Sequence, residues 1–251
     1  MKLRVGCLIL VLSSLTLSMH AATCTQGTLK GNYAAAAIGY IAGSPGSGVT
    51  LFLENYDGVS KITGSGVENV NGTVSAGVTI SGTYSVVAVG ANCTFTSTTT
   101  DSLGNTLNIA GTVSGGEMVG VSTSAGTEMQ FTAYKQAKTQ CTEADAAGSF
   151  TEQIYWEDTP VGVTLVTAQL KVTSTGVKKG SLVENYGGGT IVSGTFKGTT
   201  SMKSNCTFTT TSTYSFGGTD HFFGVGGISE NGVKMVMVGT NSGYVGLATL
   251  H

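Results

Sequence analysis

Arginine occurs once in the 251 residues, at position 4, tryptophan once, proline twice and histidine three times. Charged side chains make up only 10% of the chain. These shortages exclude several classes. Disorder goes with high charge and low hydrophobicity, whereas the mean hydropathy here is +0.21. Collagen needs glycine at every third position and abundant proline, so it is excluded too. Nucleic-acid domains cluster positive charge, and arginine is the side chain suited to bidentate phosphate contacts. The lysines here are scattered, Lys178-Lys179 being the one adjacent pair, and no nucleic-acid partner is expected. The patterns His-x-x-x-His, Cys-x-x-Cys and the phosphate-binding loop are missing, so neither a metal nor a cofactor is expected. What is abundant is glycine, 38 residues, together with threonine, serine and valine. That mixture favours short strands joined by tight turns, an all-β chain.

The first 22 residues read as an address. Lys2 and Arg4 precede an apolar run, Val5–Leu17, and small residues follow at Ala21 and Ala22, the pattern of a secretory signal peptide. The run is shorter than the ~20 residues that span a bilayer, and no later segment is long and apolar enough. A secreted or periplasmic protein without a transmembrane segment is expected, with cell-surface association as a variant. Ala21-Ala22-Thr23 makes a poor lipobox before Cys24, which disfavours a lipoprotein. Without Lys2 and Arg4, ten lysines face fourteen acids, and the remaining chain is mildly acidic.

Setting aside Cys7, four cysteines remain: Cys24, Cys93, Cys141 and Cys206. An even number in an exported chain predicts two disulfides. The intervals Cys24 to Cys93 and Cys141 to Cys206 are similar and lie end to end, which predicts one bridge in each half. The halves are copies. Cys24-Thr25, Gly31-Asn32-Tyr33, Gly48-Val49-Thr50-Leu51, Val67-Glu68-Asn69, Ser81-Gly82-Thr83-Tyr84 and Asn92-Cys93-Thr94-Phe95-Thr96 recur in one order. Their counterparts are Cys141-Thr142, Gly148-Ser149-Phe150, Gly162-Val163-Thr164-Leu165, Val183-Glu184-Asn185, Ser193-Gly194-Thr195-Phe196 and Asn205-Cys206-Thr207-Phe208-Thr209. Glu54-Asn55-Tyr56 also resembles Glu184-Asn185-Tyr186, but at a different offset, and reads as coincidence. Two domains are predicted, 23–138 and 139–251, each long enough to hold its own core.

Within the first copy, nine strands are expected: Asn32–Ile41, Val49–Glu54, Val59–Val70, Thr73–Ile80, Thr83–Val89, Cys93–Thr100, Leu107–Val113, Met118–Ser122 and Glu128–Tyr134. Asp57-Gly58, Asn71-Gly72, Gly104-Asn105 and Gly115-Gly116 supply turn chemistry between them. About eight strands in sequence order predict an antiparallel up-and-down meander. Closure into a β-barrel removes both exposed edges; a sandwich is the competing layout.

The blocks Gly31–Tyr33, Ser81–Tyr84 and Cys93–Thr94, with their second-half counterparts, resemble secreted bacterial tandem β-barrel repeats. The Gly-x-aromatic opening is similar to the Gly-x-Trp of lipocalin-like barrels, although the aromatic residue here is Tyr or Phe. The repeats it resembles often place Asp before that Cys, where this chain has Asn92 and Asn205. The resemblance implies a fold rather than an activity.

Candidate chemistry is sparse. His221 has Asp220 beside it, but neighbours on a strand face opposite ways, and the first half has no equivalent histidine. Glu68 and Glu184 are the acids that recur in both halves, each followed by asparagine, Asn69 and Asn185. Such a pair reads either as a turn cap or as polar anchors in a barrel mouth. Trp156 with its adjoining acids, and Tyr33, are candidates to stack against a sugar ring or an apolar ligand, and Trp156 also reads as a barrel plug. Three functions follow in order. The first is a noncatalytic barrel binding a small apolar molecule or a glycan. The second is a structural or cell-surface-associated protein that self-associates. The third is a carboxylate-dependent enzyme acting on carbohydrate, which needs two acids roughly 5–9.5 Å apart.

Overall fold

The computed structural model describes residues 23–40, 47–158, 162–186, 189–229, 232–241 and 244–250. Residues 1–22, expected from the sequence to be a signal peptide, lie outside the described residues. Among the described residues sixteen strands form two closed antiparallel barrels of eight strands each. The first barrel comprises β1 (Gly31–Tyr40), β2 (Ser47–Tyr56), β3 (Lys61–Val70), β4 (Thr73–Val89), β5 (Asn92–Asp101), β6 (Thr106–Ser114), β7 (Glu117–Ser122) and β8 (Glu128–Lys135). The second comprises β9 (Gly148–Asp158), β10 (Gly162–Val172), β11 (Val177–Tyr186), β12 (Thr190–Met202), β13 (Thr207–Tyr214), β14 (Thr219–Ser229), β15 (Gly232–Gly239) and β16 (Tyr244–Leu250). Each strand pairs with its sequence neighbours, and β8 and β16 close back onto β1 and β9. Closure satisfies every edge, so the barrel and not the sandwich is the layout.

One predicted break is absent. The strands expected at Thr73–Ile80 and Thr83–Val89 are one 17-residue strand, β4. Gly82 between them is a strand residue: a Cβ there would stand 2.0 Å from the Thr98 carbonyl oxygen on β5. The glycine serves close interstrand approach rather than a turn. Asn71-Gly72, by contrast, does turn the chain, with φ of 51° and 76°, as a tight β3–β4 hairpin requires.

Side-chain alternation sorts the composition. On β5, Phe95 and Ser97 are buried within the barrel while Thr96, Thr98 and Thr100 face solvent. The outward hydroxyls form cross-strand contacts, Thr98 to Asn108 at 2.7 Å and Thr100 to Thr106 at 3.0 Å. The threonine excess is therefore largely an exterior ladder. Each barrel has one bridge, Cys24–Cys93 and Cys141–Cys206, tying a short 3-10 turn to the closed end. In the first barrel that turn, Gln26–Leu29, accepts the Tyr84 hydroxyl on the Gln26 carbonyl and the Val86 N–H on the Gln26 side chain, each at 3.0 Å.

The barrels pack side against side. Ala34, Ala36, Val49, Leu51, Val67 and Tyr134 of the first meet Val225, Val236 and Val238 of the second in one buried cluster. The Asn69 side chain adds a hydrogen bond to the Gly239 carbonyl at 2.9 Å. This seam explains the alanine run of β1, buried on both faces: Ala35 and Ala37 point into the barrel, Ala34 and Ala36 into the seam. No helix among the described residues is long and apolar enough to cross a membrane.

Strand pairing also fixes which residues correspond. Glu68 lies opposite Thr50, and Glu184 lies opposite Val166, so Val166 and not Thr164 stands at the place of Thr50. The Gly48 and Gly162 blocks are thus two residues out of register. Ile62 lies opposite Gly82 and Lys178 opposite Gly198, which puts Ser193–Phe196 four residues from the place of Ser81–Tyr84. Both slips are even, so the alternation of faces survives and the motifs look matched.

Candidate functional site

The first barrel encloses a cavity of about 450 Å³, open at one end. Small side chains on β1, Ala35 and Ala37, leave the space, and Phe52, Ile80, Ile109, Met129 and Phe131 give it apolar walls. A volume of this order suits a small organic molecule. The other end is shut by aromatic rings. Tyr33 meets Tyr56 edge-on with centroids 5.1 Å apart, and Tyr56 meets Tyr84 at 5.0 Å.

Three carboxyl groups line the cavity: Glu54 from β2, Glu68 from β3 and Asp101 from the end of β5. Glu54 is fully buried and accepts the Tyr56 hydroxyl at 2.8 Å. Burial pushes its carboxyl up to about 7, against the smaller opposing pull of that hydrogen bond. Glu68 is pushed up to about 7 by burial first, then by the charge of Asp101 and a hydrogen bond to it. Asp101 is held in place by its own turn. Its Oδ1 accepts the N–H groups of Leu103 at 2.7 Å and Asn105 at 2.9 Å, and its Oδ2 accepts the Asn105 side chain at 2.8 Å. The mouth therefore carries a fixed acceptor, with a titratable carboxyl hydrogen-bonded to it.

The second barrel uses the same positions differently. Register places Glu152 where the first barrel has Ala35, and Lys178 where it has Ile62. Lys178 Nζ lies 3.4 Å from Glu152 Oε1, and both side chains are 2% exposed. The ammonium also sits over the rings of Phe196 and Phe222, 5.2 and 5.9 Å from their centroids. A carboxylate and two π faces compensate a charge that burial alone would penalise. Nearer the mouth, burial raises Glu184 and Asp220, and Tyr214 is hydrogen-bonded to Asp220.

The sequence candidates are thus dispersed. Glu68 faces the first cavity and Glu184 is half-buried in the second barrel. Tyr33 belongs to the closed end, away from the cavity. Asn69 points outward into the seam, and Asn185, its counterpart, is exposed on the outside of the second barrel. Both follow from alternation, since the residue after an inward glutamate faces out. The Trp156 backbone pairs with Thr164 and Gly246, and its side chain lies outside the described residues. Glu54, Asp101 and Lys178 are the functional candidates that sequence reasoning passed over. Glu54 carries a signal, its two-residue spacing from inward Phe52 and Tyr56 on one strand. Compared with family models and with curated proteins, the chain matches none.

Proposed function

We propose that this is an exported tandem barrel protein whose first barrel binds a small amphipathic molecule. The observation that carries the reading is the open cavity, apolar along its walls and acidic toward its mouth. Two disulfides agree with an oxidising compartment, and the N-terminal pattern agrees with export. The likeness to secreted bacterial barrel repeats points the same way. Native mass spectrometry of the protein secreted by its host tests the reading, with one small molecule expected per chain. Ala35→Leu with Ala37→Ile, which fill the cavity, should release it. A folded wild-type chain that carries no ligand and takes up no neutral solvatochromic dye overturns the reading.

Acid–base catalysis on the bound molecule is a second reading, favoured by two buried carboxyls poised near neutral pH. The hydrogen-bonded Glu68–Asp101 pair does not supply the separation that glycoside hydrolysis needs. Turnover of a bound compound that Glu68→Gln abolishes without loss of binding would establish this second reading.

A further inference from the structure

We propose that the first barrel's ligand is an organic amine, its ammonium group seated against Glu68 and Asp101, above Glu54, and its apolar body lying along Ala35, Ile109 and Phe131. The inference rests on the binding reading above and names the ligand class.

Among the described residues Glu54, Glu68 and Asp101 are the titratable groups that line the cavity, and no lysine, arginine or histidine lines it. The described chain segments at the mouth, residues 71–72, 102–105 and 123–127, contain no basic residue. Lys30, Lys61 and Lys135 all belong to the opposite end, beside the 3-10 turn, at the start of β3 and at the end of β8. Three acids thus converge on an apolar space with no cation of their own. Buried charges in proteins are normally paired.

The second barrel shows the pairing that the first lacks. There an interior carboxylate meets the ammonium of Lys178, which rests on two phenylalanine rings. The first barrel has Ile62 at that position and retains aromatic walls, Phe52 and Phe131, around its acids. A ligand ammonium would play in the first barrel the part that Lys178 plays in the second. The titration behaviour agrees. Glu54 faces Tyr56 on its own strand and lies opposite Tyr33 on β1, while Glu68 faces Asp101 on β5, so no neighbour supplies positive charge. An entering ammonium favours the ionised carboxyls, so binding near pH 7 releases protons and tightens as the pH rises from 5.5 to 8.

Calorimetric titration of the full oxidised chain with three probes tests this: 4-phenylbutylammonium, 4-phenylbutanol and 4-phenylbutyrate, which share a body and differ in head group. At pH 8 the ammonium should bind at least about tenfold more tightly than the alcohol, the usual margin of a charge-assisted hydrogen bond, and the carboxylate more weakly still. Glu68→Gln should remove most of that margin. Ala35→Glu with Ile62→Lys, which transplants the ion pair of the second barrel, should abolish binding of both while the chain still melts cooperatively. Equal affinity for ammonium and alcohol overturns the amine inference and leaves the binding reading standing. Binding of none of the three, by a wild-type chain that also excludes the neutral dye, overturns both.

Discussion

The two barrels share strand number, hairpin order, a bridge at the closed end and an inward glutamate on the third strand, yet their interiors differ in charge logic. The first leaves three carboxyls around an open space. The second places Glu152 and Lys178 where the first has Ala35 and Ile62, and so pairs that glutamate with a cation of its own. Strand pairing also puts Leu170 at the place of Glu54 and Tyr214 at the place of Asp101, so the two interiors differ in their acids as well. A closed barrel tolerates this because the ladder hydrogen bonds hold the frame whatever fills it.

The comparison can be broken most severely at the bridges. Cys93→Ser opens a 69-residue span and should cost the first barrel about 4 kcal/mol on the loop-entropy model. Denaturant unfolding should show that loss in one barrel's transition, and equal loss in both would mean that the seam makes them a single cooperative unit. Lys178→Met should cost the second barrel nearly as much, about 3–4 kcal/mol, because it strands Glu152 in the interior. Adding Glu152→Ala, which restores the character of the first barrel, should recover most of that loss in the same melt.

A pH series sharpens the contrast further. Glu54 has its carboxyl raised from the ordinary 4.5 to about 7. Below 4.5 the group is neutral in both folded and unfolded chains, and its contribution is fully present. As the pH rises the unfolded chain ionises first, so stability is lost up to about pH 7, by roughly 3 kcal/mol for a shift of this size. Glu54→Gln should flatten that profile in the first barrel alone. The smallest effect is expected at the repeated asparagines. Asn69→Ala removes a buried hydrogen bond across the seam and should cost about 1 kcal/mol, whereas exposed Asn185→Ala should leave the melt unchanged.

Much of the frame was legible in the chain. The turn dipeptides, the paired cysteine intervals and the duplicated blocks all report local chemistry or simple spacing, and they led to two barrels with one bridge each. The site was less legible because it is made by convergence. Glu54, Glu68 and Asp101 come from three strands, and only closure brings them to one space. Asp101 in particular looks like a turn residue, and it is one, holding Leu103 and Asn105 while also facing Glu68. The motif Ser-Gly-Thr-aromatic misled for a related reason. A slip of four residues preserves inward and outward faces, so matching letters concealed unmatched positions.

The seam has a consequence for how such a pair can diverge. The first barrel docks through the outer faces of β1 to β3 and β8, the second through those of β14 to β16. Among the described residues, the counterparts of β1 to β3, β9 to β11, contribute nothing to that buried cluster, so no twofold rotation exchanges the halves. Each copy occupies a distinguishable seat, much as the two ends of an arrow differ. A change that suits one seat need not suit the other. In a symmetric pair, drift in one interior would be mirrored or resisted at a shared interface; here, one interior can change while the other keeps its own.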